Sequence, residues 1–234
     1  MNSLRFCFCL LFPLHIIAQD SSLSVTNGEA EAVNNYYNFP GLKPALYNGP
    51  QHYGYSPLVK GFAYYSTNEW TTGSVLYDGL LYRNMPLMYD AYADKLVVKH
   101  IYGVSFSPLS DKIQRFTLGN DVFVRLDKSS GAPDTRFYQL SVDGAAQLYV
   151  SRIKILLEKI VDNSVEQSFI SKDRFYILKE SKFQHISSQS DLLDVLKDKR
   201  REVLQHIKSG NVKFRHDPNK VISSAVRYYN EISQ

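Results

Sequence analysis

Five histidines outside the N-terminal segment are the side chains best suited to metal binding or proton transfer: His52, His100, His185, His206 and His216. No two of them stand at a ligand spacing such as H-x-H or H-E-x-x-H, so the pattern offers no metal site. Each reads as a solvated or capping histidine. A serine nucleophile of the hydrolase type would sit in G-x-S-x-G at a strand-to-helix turn. Gly54-Tyr55-Ser56 and Gly103-Val104-Ser105 lack the second glycine and fit turn-to-strand junctions instead. A glycosidase needs two carboxylates about 5–10 Å apart across a cleft. Asp78, Asp90, Asp94 and Asp143 are the candidates, yet all four fall at expected turns, where aspartate hydrogen-bonds its own backbone. No glycine-rich phosphate cradle is present, and nothing calls for a cofactor.

Binding is better represented than catalysis. Tyr53, Tyr55, Phe62, Tyr64, Tyr65 and Trp70 crowd one short stretch, and exposed rings there would stack on a sugar or grip a peptide. The competing use of such rings is to fill the interior of a β-domain. The five candidates taken forward are Tyr53, Tyr55, Tyr64, Tyr65 and Trp70. A basic run, Lys197, Lys199, Arg200 and Arg201, could touch anionic lipid or polysaccharide. Its interleaved acids favour a solvated helix face.

The chain that must position these residues has 234 residues, 44% hydrophobic and 21% charged, so long disorder is excluded. Its 17 tyrosines against one tryptophan favour β-structure. Residues 1–18 form an export signal: Arg5, an apolar run from Phe6 to Ile17, and the small Ala18 at the cleavage position. That run of 12 residues is too short for a bilayer core about 30 Å thick. No other stretch could span a membrane. The mature chain is expected to begin at Gln19. Cys7 and Cys9 both lie in the signal, so the mature chain is left without disulfides, thiolate nucleophiles or cysteine-bound metal. Neither cysteine is placed for a lipid anchor. The mature excess of basic residues is confined to the last fifth and is far too weak for a nucleic-acid binder.

Residues 61–186 read as a β-domain and 187–234 as a C-terminal helical unit. Residues 19–60, rich in Tyr, Pro and Asn, read as an extended strap laid across the β-domain. Gly73 to His100 reads as four short strands, with Asp78-Gly79 as a two-residue turn requiring positive φ at both positions. Strands are expected at Gly61 to Tyr65, Tyr102 to Ser107, Arg115 to Leu118, Val122 to Leu126, Phe137 to Val142, Ala145 to Val150, Ile153 to Ile160, Ser168 to Ile170, Phe175 to Leu178 and Lys182 to Ile186. Gly119-Asn120-Asp121, Asp143-Gly144 and Lys179 to Ser181 supply turns. From Ser190 the apolar spacing becomes helical through Leu192, Leu193, Leu196, Val203, Leu204 and Ile207, with Gly210 as a stop. Asp217-Pro218 opens a last helix whose inner face is Val221, Ile222, Ala225, Tyr229 and Ile232. The fold class is α+β: an antiparallel β-meander, able to curl into a half-barrel, followed by small helices.

The succession GSVLYDGLLYRNMPLMYDAYADKLVVKH, FVRL, FYQLSVDGAAQLYV, RFYILKESKFQHI and DKRREVLQHIKSGNVKFRHDP resembles a set of exported proteins of Bacteroidota that carry no assigned activity. The resemblance covers nearly the whole mature chain. It implies an exported protein of the periplasm, outer membrane or medium, and brings no catalytic residue. The expected function is therefore a non-enzymatic cell-envelope protein that binds or scaffolds an envelope protein or a glycan. A hydrolase of glycan or peptide and a carrier of a small apolar ligand are the alternatives.

Overall fold

A computed structural model describes residues 45–233. Ten strands form one antiparallel sheet: β1 (Thr71–Tyr77), β2 (Leu80–Asp90), β3 (Lys95–Lys99), β4 (Ser105–Phe106), β5 (Ile113–Leu118), β6 (Asp121–Leu126), β7 (Arg136–Val142), β8 (Ala146–Ser151), β11 (Arg174–Lys179) and β12 (Lys182–Ile186). Two more, β9 (Lys154–Val161) and β10 (Ser164–Ser171), pair only with each other. The order across the large sheet is β12-β11-β8-β7-β6-β5-β1-β2-β3-β4. The chain therefore runs outward from β1 to β4, returns to set β5 beside β1, and runs outward the other way. The sheet does not close, because β4 and β12 remain at opposite edges. Helices α1 (Gln189–Val195), α2 (Arg200–Ser209) and α3 (Pro218–Ile232) come last. The expected α+β meander with a small helical unit is thus the architecture found. The export segment and the strap as far as residue 44 lie outside the described residues.

Several boundaries differ from expectation, each for a local reason. Residues 73–100 hold three strands rather than four. Arg83-Asn84 does not turn the chain; Asn84 takes φ 52° inside β2, and the β1–β2 register slips between Gly73 and Val75. This is a β-bulge, which bends a strand without ending it. Gly61 to Tyr65 makes no regular strand, only single bridges from Lys60 to Ser168 and from Tyr64 to Asp90. Tyr102 to Ser107 contracts to β4. The short strand expected at Ser168 to Ile170 extends to all of β10, because Asp162 (φ 49°) and Asn163 (φ 62°) make a tight reversal after β9. Asp78 and Gly79, at φ 51° and 80°, form the expected turn.

The sheet is packed in two different ways. Under its first half the interior is aromatic: Tyr77, Tyr82, Tyr89, Phe116, Phe123 and Phe137 are all fully buried. Phe116 stacks on Phe123 at 4.8 Å, and Phe137 meets Phe116 edge-on at 5.1 Å. The second half is covered by helices through aliphatic residues, with Leu148, Val150 and Ile177 meeting Leu192, Leu196, Val203, Ile222 and Val226. Tyr138, Tyr149 and Tyr176, alternating with those residues, gather on the opposite face.

The helical period expected from Ser190 is interrupted. Ser188 is the N-cap of α1: its hydroxyl accepts from the Asp191 N–H while the Asp191 carboxylate accepts from the Ser188 N–H. The Ser187 hydroxyl and N–H, followed by the Ser188 bonds, hold Asp191 down to a pKa of about 2. A short 3-10 turn, Lys197–Lys199, separates α1 from α2. It presents Asp198 to Lys179 on β11 and, at 2.8 Å, to the Tyr229 hydroxyl on α3. Asn230 of α3 binds the β7–β8 turn like a missing strand. Its Oδ1 accepts from the Ala146 N–H, and its Nδ2 donates to the carbonyls of Ala146 and Asp143. Gly144 leaves the room for this, since a Cβ there would fall 2.5 Å from Asn230 Nδ2.

Candidate functional site

Residues 49–65 run without regular structure across three elements. The Ser107 N–H donates to Pro50 and the His52 N–H to Ser105, which covers the edge at β4. The Lys60 N–H then donates to Gln167, and Lys60 accepts from Phe169, which ties down the β9–β10 hairpin. Gly61, at φ 78°, allows this approach, with Phe169 O 3.1 Å from where a Cβ would stand. Finally the Tyr65 N–H donates to Tyr89 and the Ala91 N–H to Ala63, at the end of β2.

Where these attachments converge lies a ring cluster built on a buried acid. Asp90, the last residue of β2, has no exposed surface. Its Oδ1 accepts from the N–H groups of Tyr92 (3.1 Å) and Ala93 (2.8 Å), and its Oδ2 accepts from the Tyr55 hydroxyl at 2.6 Å. His52 Nε2 lies 3.0 Å from the Tyr64 hydroxyl and 4.0 Å from Asp90 Oδ2. Around them Tyr55 meets Phe169 at 5.1 Å, Tyr92 at 5.7 Å and Tyr64 at 6.3 Å, all edge-to-face. A cavity of about 340 Å³ opens here, walled by Tyr55, Ser56, Phe62, Tyr64, Asn68 and Phe169, among others.

The electrostatics follow from burial. Loss of solvent pushes the Tyr55 hydroxyl far above its ordinary pKa, and the hydrogen bond to Asp90 adds to that. Burial also raises Tyr64, with the Asp90 charge second. His52 is pushed down from 6.5 by burial, against the pull of Asp90, so it is neutral at physiological pH. Both Tyr hydroxyls are thus neutral donors or acceptors, unsuited to act as bases.

Ser107, His52 and Asp90 lie roughly as a nucleophile, base and acid would, and the distances dismiss that role. Ser107 Oγ is 3.4 Å from His52 Nδ1, while Nε2 faces the Tyr64 hydroxyl and stands beyond hydrogen-bond reach of Asp90. Ser107 is buried and is not among the residues walling the cavity.

Of the five aromatic candidates, Tyr55 and Tyr64 are brought together at this cavity and the other three are not. Tyr53 is 75% exposed, its hydroxyl on Gln51. Tyr65 points its hydroxyl at Asp121 and lies beneath Arg152, in the wall of a separate cavity with Lys154 and Asp173. Trp70 stands with Lys99. Asp90, Tyr92, Phe169 and His52 complete the site. Nothing in their spacing marked them as a group, since Phe169 arrives from a hairpin more than a hundred residues after His52.

The remaining acids are engaged as turn chemistry predicts. Asp78 pairs with Lys112 at 2.8 Å, and Asp143 accepts from Gly144 N and Gln147. Asp94 does more than cap a turn: it accepts from the Tyr89 hydroxyl, the Phe137 N–H and Arg125. His100 packs edge-on against Tyr47, His185 lies against Tyr176, and His206 stacks on Tyr228 while bonding Ser224. Among the described residues no group of three His, Cys, Asp or Glu could hold a metal ion, and no helix is long and apolar enough to cross a membrane. A search against protein-family models, curated proteins and solved structures found no match, so the ring cluster must be interpreted from its own chemistry.

Proposed function

We propose that this chain is an exported, non-enzymatic protein of the cell envelope that binds a partner, protein or glycan, at the Tyr55–Tyr64–Phe169 cavity. The observation that carries the reading is a concave wall of rings on a fully buried carboxylate whose hydrogen bonds are already made. Such a wall offers area and orientation and no free acid–base pair. Export is supported by the charged, apolar and small-residue succession of residues 1–18, and by the resemblance to exported proteins of Bacteroidota.

A glycan or peptide hydrolase is less well supported, because Asp78, Asp90, Asp94 and Asp143 each hold a turn or an ion pair. An apolar carrier is less well supported because the interior under β1, β2 and β5 to β7 is filled by stacked rings. The test is a photo-crosslinking residue placed at Tyr53, which is exposed two residues before Tyr55, in cells that express the full chain. A discrete crosslinked partner in the envelope fraction is expected. Recovery of the chain in the cytoplasm, or a crosslink pattern equal to that of a probe at the distant, exposed Glu202, overturns the reading.

A further inference from the structure

We propose that the Tyr55–Tyr64–Phe169 cavity takes an alkylammonium group, seated against the ring faces and drawn by the buried Asp90 carboxylate. The inference rests on the binding role proposed for the same cavity and specifies its ligand.

Asp90 is a fully buried carboxyl group that accepts hydrogen bonds without a Lys or Arg partner among the described residues. All three of its hydrogen bonds come from neutral donors, the Tyr55 hydroxyl and the N–H groups of Tyr92 and Ala93. Among the described residues no Lys or Arg forms an ion pair with it. Its nearest basic group, His52 at 4.0 Å, is kept neutral by burial. A negative field therefore emerges through Tyr55 and Tyr64, the two hydroxyls whose ionisation Asp90 opposes. Those same rings, with Phe62 and Phe169, wall the cavity. Ring faces carry negative potential and attract ammonium groups, most strongly when water is excluded.

One of these rings already holds an ammonium, supplied by a lysine from the wall of the neighbouring cavity. Lys154 sets its ammonium 4.6 Å from the centroid of the Phe62 ring. Lys60, the other nearby cation, is paired with Glu166 at 2.7 Å. An incoming ammonium thus meets ring walls and a carboxylate with no Lys or Arg ion pair among the described residues, opposed by Lys154 on Phe62 and by Lys95, the cross-strand neighbour of Asp90. A neutral sugar would use the rings and leave the charge unanswered.

Protonation of His52 would place a competing positive charge 4.0 Å from Asp90. The groups facing His52 are Asp90 from β2, Tyr55 and Tyr64 from its own segment, Ser107 after β4, and more distantly Lys95 of β3. Only Asp90 favours the charged form, so binding should weaken as pH falls below 6.5 toward the lowered pKa of His52.

The test is an NMR titration of the purified protein with n-butylammonium, the neutral alcohol n-pentanol, which is one methylene longer, butyrate, and a short peptide carrying one lysine. Butylammonium is expected to bind about tenfold more tightly than pentanol, with shifts at Tyr55, Tyr64 and Phe169, and butyrate not at all. Asp90→Asn should lose about tenfold in amine affinity, Phe169→Leu should lose several-fold, and Lys154→Gln should gain. If Asp90→Asn does not fold, the opposite signs of Phe169→Leu and Lys154→Gln decide the matter. Tighter binding of the lysyl peptide than of butylammonium points to a protein partner, and equal binding to a small amine. Pentanol matching butylammonium, or Lys154→Gln weakening the amine, overturns the proposal. A neutral oligosaccharide that occupies the cavity while amines do not would sink the charge reading and leave the binding role standing. Absence of both cavity ligands and a Tyr53 crosslink removes the binding role itself.

Discussion

The two halves of the large sheet bury themselves by different means. The half built from β1, β2, β3, β5 and β6 packs rings on rings, whereas that built from β8, β11 and β12 rests on helices through Leu, Ile and Val. Rings such as Tyr89 bring hydroxyls inside, and each needs a partner; Tyr89 finds Asp94, which in turn engages Arg125 and the Phe137 N–H. Burial raises the pKa of Asp94 despite those partners. In the helix-covered half the aliphatic face carries Tyr229, whose hydroxyl donates to Asp198, while Tyr138, Tyr149 and Tyr176 gather on the opposite face and the buried amide of Asn230 binds the β7–β8 turn. The candidate site lies beside the aromatic half for the same reason. Tyrosine tolerates water at one end and packing at the other, so one residue type can build both core and binding wall.

The comparison is broken most forcefully at Phe116. Phe116→Ala should cost about 3–5 kcal/mol in urea unfolding, against about 0.5–1.5 kcal/mol for Ile222→Val in the helical interface. Phe116 is fully buried and stacked on Phe123, and Ile222 is equally buried among aliphatic neighbours. Near-equal losses would mean that the aromatic interior is loosely packed. Next comes Asn230→Ala, which strands the Ala146 N–H and two carbonyls; a loss of about 1–3 kcal/mol is expected, with faster hydrogen exchange at Ala146. Unchanged exchange there would show that the turn holds itself.

The smallest effect is a pH dependence confined to the aromatic side. His52 has its folded pKa lowered by burial, so the unfolded chain takes up its proton first as pH falls. Stability from this residue is complete above 6.5 and declines as pH drops below 6.5 toward the folded value. His52→Asn should flatten that segment of the stability profile. If the slope persists without His52, another group is responsible.

Much of the fold was legible in the chain. The strand at Val122 to Leu126, the Asp78-Gly79 turn and the Asp217-Pro218 helix start depend on neighbours within a few residues, and all three stand as expected. The errors came where local signals were ambiguous. The four short strands read in residues 73–100 become three because Asn84 takes positive φ while both stretches flanking it pair with β1, so the strand bulges and continues. The break at Lys197–Lys199 has no Gly or Pro to announce it; contacts of Asp198 with Lys179 and Tyr229 impose it from outside.

The chain by itself determined the α+β class, most turns, and which residues would be apolar enough to be buried, because periodicity and turn chemistry are short-range. It also gathered the candidate binding rings into one Tyr-rich stretch. Tertiary structure decided which of those rings face a cavity. Tyr55 and Tyr64 meet Asp90, Tyr92 and Phe169 only because three separate attachments draw residues 49–65 across β4, β10 and the end of β2. Tyr65, next in line, is turned the other way toward Asp121 and Gln139. Neighbouring side chains on an extended backbone point to opposite faces, so adjacency in sequence could not reveal which ring belonged to the site.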